Sequence, residues 1–273
     1  MIGVEIVKLV RRPRTWVSVL LLCLLPTVVA VFLAVSRIAP RPGEGPAFLS
    51  AVLSNGQLYP AAALGIVLPI FLPVSVAVVA GDSVAGEATT GTLRYLLVRA
   101  VGRTRLLVAK LVAVVVYTVV AVLAVALTGY VVGVNLFGSN PAALGFATST
   151  VSGTPMTTTE LLERTVLMIA YIGWSMLGVA AVSLFLSTLT DSSLGAALGG
   201  LAVLVGSTVL VTLDAAGSVR DWLPTRYWLA WVDLFRDPIL WHDIQRGVLV
   251  QGFYIVVLLG AAWANFATRD VTS

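Results

Sequence analysis

Few side chains in this chain can do chemistry, and their spacing restricts them further. Its two lysines, Lys8 and Lys110, follow Val7 and Ala109, so neither completes the Gly-Lys-Ser/Thr element that cradles nucleotide phosphates. The chain is therefore not expected to hydrolyse ATP by itself. The one cysteine, Cys23, lies in an apolar run and reads as a small core hydrophobe, with no partner for an intrachain disulfide or a multi-cysteine metal site. The sole histidine, His242, stands between Trp241 and Asp243, where a solvated interfacial imidazole accounts for it better than a pH sensor. No catalytic residue, metal site or chain-bound cofactor is expected. What remains is electrostatic. The stretch from Gly81 to Lys110 concentrates Asp82, Glu87, Arg94, Arg99, Arg103, Arg105 and Lys110.

The elements that must position these charges are apolar. Of 273 residues, 59% are hydrophobic and 11% charged, against about 45–50% and about 25% in soluble domains, so a water-soluble core is improbable. A formal net charge of +4 fits a membrane protein with a basic cytoplasmic side, and no nucleic-acid partner is expected. Crossing ~30 Å of hydrocarbon takes about 20 apolar residues. Trimmed at Pro, Gly and polar clusters, six charge-free stretches satisfy that length. They predict an all-α integral membrane fold, one transmembrane domain over 1–273, with spans near 16–35, 60–80, 107–133, 165–188, 193–213 and 247–267. The first is longer than the roughly 7–15 residues of a signal-peptide core and should stay in the mature chain.

Lys and Arg accumulate on the cytoplasmic side. With the amino terminus inside, ten basic and five acidic residues fall inside, a net of +5; seven basic and eight acidic fall outside, a net of −1. Both termini are therefore expected in the cytoplasm. No ionisable residue falls centrally in a span. Lys110 comes nearest, within about a turn of the cytoplasmic edge, where its stem should snorkel out. A proton relay thus lacks its groups, and energy for any transport must come from outside the membrane part.

The 82–106 cytoplasmic loop is the most informative stretch. After Gly91, Thr92 can cap a short interfacial helix with Leu93, Leu96 and Leu97 on one face, up to Gly102. Residues 1–14 set Ile2, Ile6, Leu9, Val10 and Pro13 on one face and Glu5, Lys8, Arg11 and Arg12 opposite. The order Asp82, Gly86, Glu87, Gly91, Thr92, Leu93, Arg94, Leu96, Leu97, Arg103 and Lys110 resembles the cytoplasmic loop of type-2 ABC exporter permeases. The resemblance runs along the chain: residues 1–14 look like that family's amphipathic connecting helix, and the closing Phe266, Arg269, Asp270 and Val271 resemble its carboxyl end. Ala100 departs from it, where the family commonly has Pro. The resemblance implies a short coupling helix between the second and third spans, docked on a separate ATPase, with Glu87 at the family's acidic position. It implies two cytoplasmic ATPase partners holding ATP and Mg, a second permease copy or paralogue, and a multi-pass place in the plasma membrane. It also implies export of a hydrophobic or amphipathic substrate, whether drug, lipid or peptide, through a cavity lined by the first, second and fifth spans.

The 214–246 loop mixes charge with Trp222, Tyr227, Trp228, Trp231, Phe235 and Trp241, and is expected outside, as two short amphipathic helices in the outer leaflet parted near Pro238; the resemblance implies that it caps the exit. Pro69 and Pro73 should bend or unwind the second span, and Gly195 and Gly199 permit close helix approach. The rival readings are a passive channel or secondary carrier, and a non-transporting membrane scaffold.

Overall fold

The computed structural model describes residues 1–36, 48, 55–89, 102–138 and 146–268. Helix α1 (Ile2–Arg11) is short and α2 (Pro13–Ser36) long. The bend between them has a local cause: a residue before proline is pushed out of the helical region, and Arg12 is extended at φ −76°, ψ 119°. Pro13 then opens α2, where its missing N–H costs nothing. Helices α3 (Tyr59–Val67) and α4 (Phe71–Thr89) follow, then α5 (Arg103–Phe137), α6 (Thr158–Leu189), α7 (Ser193–Thr212) and α8 (Trp241–Thr268). Six of these, α2 and α4 to α8, are long and apolar enough to cross a bilayer. Their outward faces are apolar: Phe32 on α2, Val205 on α7, and Leu249 and Val256 on α8 are all more than 60% exposed, as lipid contact requires and water does not favour.

Several expected boundaries move, and each shift has a physical reason. In place of one helix over 60–80 there are two, parted at Leu68–Ile70. Pro69 and Pro73 have no N–H to give the carbonyls of Gly65 and Pro69, so the ladder lapses there. The 82–106 loop is shorter than expected. Residues 82–89 continue α4 and Arg103–Leu106 already belong to α5, because charges that find partners do not end a helix. The third span extends from 107–133 to 103–137. At 35 residues it is about 52 Å long, well beyond the ~30 Å of hydrocarbon. The fourth begins at Thr158 rather than 165: Thr157 Oγ1 accepts from the Glu160 amide and Glu160 returns the bond, a capping box that fixes the start. The sixth begins at Trp241 rather than 247.

The bundle is not wholly α-helical. An antiparallel hairpin, β1 (Phe146–Ser149) and β2 (Pro155–Thr157), lies between α5 and α6 with Phe146 opposite Thr157 and Ser149 opposite Pro155. It joins the 214–240 segment in a tied cap. The Val151 amide donates to Phe235 O and the Asp237 amide to Ser152 Oγ. Tyr171 Oη donates to Tyr227 O and Arg164 to Arg236 O. The expected pair of interfacial helices is replaced by two 3₁₀ stretches, Asp214–Trp222 and Ala230–Phe235, both ending before Pro238. Of the aromatics expected at the interface, Trp222 and Trp241 are exposed, at 61% and 46%; Tyr227, Trp228, Trp231 and Phe235 are buried in the bundle's core.

Candidate functional site

At the end of the bundle opposite that cap, three elements bring four charged side chains together. Lys8 on α1 reaches Glu5 Oε1 at 2.8 Å, one turn back, and Glu87 Oε1 on α4 at 2.9 Å. Lys110 on α5 meets the other side of the same carboxylate, Nζ to Glu87 Oε2 at 2.6 Å, with Glu5 Oε2 at 3.7 Å. Its ammonium also donates to Ser83 O at 2.6 Å. A turn along α1, Arg12 Nη1 lies 2.7 Å from Asp82 Oδ2. The two carboxylates and two ammoniums of the cluster sum to zero charge. A cavity of about 40 Å³ adjoins them, floored by Ala113 and Val114, which is room for water with polar partners.

Burial ranks the members. The side chain of Lys110 is 1% exposed, Glu87 7%, Glu5 11% and Lys8 37%. Lys110 thus does not snorkel out as expected; its charge is met inside the protein. Glu87 likewise points into the bundle and offers no carboxylate to an outside partner. The inward side of α1 mixes charge and apolar groups: Glu5, Ile6, Lys8 and Leu9 are half-buried, whereas Val4, Val7, Val10 and Arg11 are exposed. For Lys8, burial is the strongest influence and works to lower its pKa, but hydrogen bonds and charge from Glu5 and Glu87 together outweigh it and hold it above the ordinary 10.5.

The sequence placed Glu5 and Lys8 in one group and Glu87 and Lys110 in another, and the structure merges them. Asp82 joins through Arg12. Gly86 has a different part: a Cβ there would lie 2.3 Å from Asp82 Oδ1, so its bareness leaves room for that carboxylate. Arg103 stays at this end, its guanidinium donating to Ala267 O at 2.8 Å, and Asn265 Nδ2 donates to Thr188 O at 2.8 Å. Arg11 is exposed. Gly91, Thr92, Leu93 and Arg94, the heart of the expected coupling helix, lie outside the described residues, as do Ala100 and 269–273. Among the described residues no group of three or more His, Cys, Asp and Glu is placed to hold a metal.

A second feature lies between the first, second and fifth spans, where the resemblance implies a cavity. A groove of about 410 Å³ runs between α2, α4 and α7, walled by Leu21, Leu22, Phe71, Val78 and Leu194, with Arg12, Arg14 and Asp82 at one end. Inside it Ser18 Oγ lies 2.8 Å from Tyr117 Oη, and Ser75 bonds the same hydroxyl, tying α2, α4 and α5. Gly81 and Ala197 make the tight α4–α7 crossing beside it; a Cβ on Gly81 would lie 2.8 Å from the Ala197 amide nitrogen. Of the expected close-approach pair, Gly199 faces Leu186 of α6 within the same chain, and Gly195 lies over its own helix cap, Ser192.

A model for proteins of unknown function, DUF2705, matches residues 23–272. The chain belongs to the DUF2705 family. No curated protein shows a significant sequence match to it. The DUF2705 match begins inside α2, so it takes in Asp82, Glu87 and Lys110 and leaves α1, with Glu5, Lys8 and Arg12, ahead of it.

Proposed function

We propose that this DUF2705 chain is the membrane permease of an ATP-driven exporter, powered by separate cytoplasmic ATPase chains and working beside a second permease copy or paralogue. The observation that carries the reading is the ion cluster. It fastens the short amino-terminal helix to the last turns of α4 and the first turns of α5, the two helices that flank residues 90–101. A force applied to that connection therefore moves α1, α4 and α5 together, and α2 and α4 are walls of the groove. Sequence supports the rest: the Gly91–Arg94 motif resembles the coupling element of type-2 ABC exporter permeases, and the +5 against −1 charge balance puts α1 and both termini in the cytoplasm.

In this arrangement Glu87 is a positioning residue, holding the lever rather than touching the ATPase. Leu93 and Arg94 carry the docking contact. Purifying the tagged full chain from native membranes should bring an ATP-hydrolysing protein with it. Leu93→Asp and Arg94→Glu should each release that partner while the chain stays inserted. The reading fails if no ATPase accompanies the chain, or if the reconstituted chain alone passes solute without nucleotide.

A further inference from the structure

The α2–α4–α7 groove has a polar end and an apolar length, and the charges at the polar end are not equivalent. Arg12 is matched by Asp82 at 2.7 Å. Arg14, two residues on in the first turn of α2 and exposed, has no ion-pair partner among the described residues. One uncompensated guanidinium thus lines the groove, with Thr15 and Ser193 also in its wall. From Arg12 to Leu22 the groove follows ten residues of α2, about 15 Å at 1.5 Å per residue, half of the ~30 Å hydrocarbon layer and so one leaflet deep. Its 410 Å³ lies within the roughly 300–1,000 Å³ of small-molecule sites.

We infer that this groove holds an acyl chain of an anionic phospholipid, with the headgroup phosphate on Arg14. The apolar walls cannot choose the ligand, because a lipid tail gains little on exchanging other tails for Leu and Val. Selection falls to the headgroup, where a guanidinium pairs with phosphate oxygens in a fork. The depth of one leaflet, from a charged mouth at the interface to an apolar end at Phe71, fits a lipid standing upright in the leaflet on the α1 side. That this lipid is cargo rests on the permease reading; its binding does not.

The full chain, reconstituted in phosphatidylcholine vesicles, is photolabelled with a trace of phosphatidic acid bearing a diazirine in its tail, and in parallel with phosphatidylcholine bearing the same tail. Phosphatidic acid should label Leu21, Phe71, Val78 and Leu194 about fivefold more than phosphatidylcholine, the worth of one interfacial basic residue to an anionic lipid. Arg14→Gln should remove that preference and Arg14→Lys keep most of it. Val78→Trp, at an exposed groove position, should abolish labelling there by both probes. Equal labelling by the two lipids, or indifference to Arg14→Gln, overturns the proposal. So does a disulfide between two copies of Val78→Cys in a Cys23→Ser background, which would mean that a second chain covers the groove. ATPase co-purification, scored on the same preparations, separates the failures: a lost partner with headgroup selectivity intact sinks only the permease reading, and the reverse sinks only the lipid site.

Discussion

Replacing Glu87 by Ala should cost far more than its single carboxylate suggests. Glu87 is the shared counter-ion of Lys8 at 2.9 Å and Lys110 at 2.6 Å, and the Lys110 side chain is 1% exposed. Without it, Lys110 keeps one carboxylate, Glu5 at 3.7 Å, which Lys8 also claims at 2.8 Å. Breaking a buried pair from one side costs roughly 3–5 kcal/mol, because the other charge stays buried. Lys110→Met should cost a similar amount, since Glu87 then leans on the half-exposed Lys8. Removing both charges with Glu87→Leu and Lys110→Met leaves Glu5 and Lys8 as an exposed-edge i, i+3 pair and a dry apolar contact between α4 and α5. Such replacements are often close to neutral. With the single Glu87→Leu and Lys110→Met variants closing the cycle, the predicted coupling is at least about 2 kcal/mol, in the upper range for contacting residues. It is read from the denaturant midpoint of the purified full chain in mild detergent, with cleavage after Lys8 and Arg11 reporting release of α1. Additive single-mutant losses would refute the reasoning, as would an unchanged midpoint in Glu87→Ala.

Two further outcomes test the packing and the titration. A Cβ on Gly133 would lie 2.3 Å from Gly56 O and 2.5 Å from Tyr59 Cβ, so Gly133→Ala must part α3 from α5 and should lower stability by roughly 1–3 kcal/mol. Gly206→Ala in α7 meets nothing within 4 Å and should instead add about 0.5–1 kcal/mol from helix propensity, a contrast measurable in one melting series. Lys8 has its folded pKa raised above 10.5, so its contribution is fully present below that value and lost as pH climbs through the folded one. Proteolytic release of α1 should accordingly show no Lys8-dependent rise between pH 7 and 9 and should increase only above about 10.5; Lys8→Met should raise release by a constant factor over pH 7 to 9, and a difference from the native chain that changes with pH in that window would contradict this.

The six long helices were legible because bilayer thickness imposes a length of apolar residues that nothing else in a chain this size imitates. Their ends were not. The charge-free criterion stops at Asp82 and restarts only after Lys110, with the third span placed from 107, yet α4 runs to Thr89 and α5 begins at Arg103, since the rule describes the solvent and not the backbone. The split at Leu68–Ile70 was visible in Pro69 and Pro73, whose missing N–H groups are covalent facts. The burial of Trp231 and Tyr227 was not visible, because aromatic density alone does not distinguish a lipid interface from a cap packed over α6 and α8. The hairpin at 146–157 carried too little alternation to announce itself.

The ion cluster was half legible. The amphipathic pattern of residues 1–14 opposes Glu5, Lys8, Arg11 and Arg12 to Ile2, Ile6, Leu9, Val10 and Pro13. In the structure Glu5 and Lys8 turn inward beside Ile6 and Leu9 while Arg11 stays exposed, a split permitted because Glu87 and Lys110 wait on the inner side. The sequence did hold a signal: Glu5, Lys8 and Arg12 share a helical face, and the otherwise apolar α4 and α5 carry Asp82, Glu87 and Lys110 in complementary sign. Charges of opposite sign that interrupt neighbouring apolar helices at the same depth are cheaper together than apart. That reciprocity also explains why α1 should move with α4 and α5. Sliding it by a single residue would strand Glu5 and Lys8 away from both partners, so the pairing fixes register as well as contact.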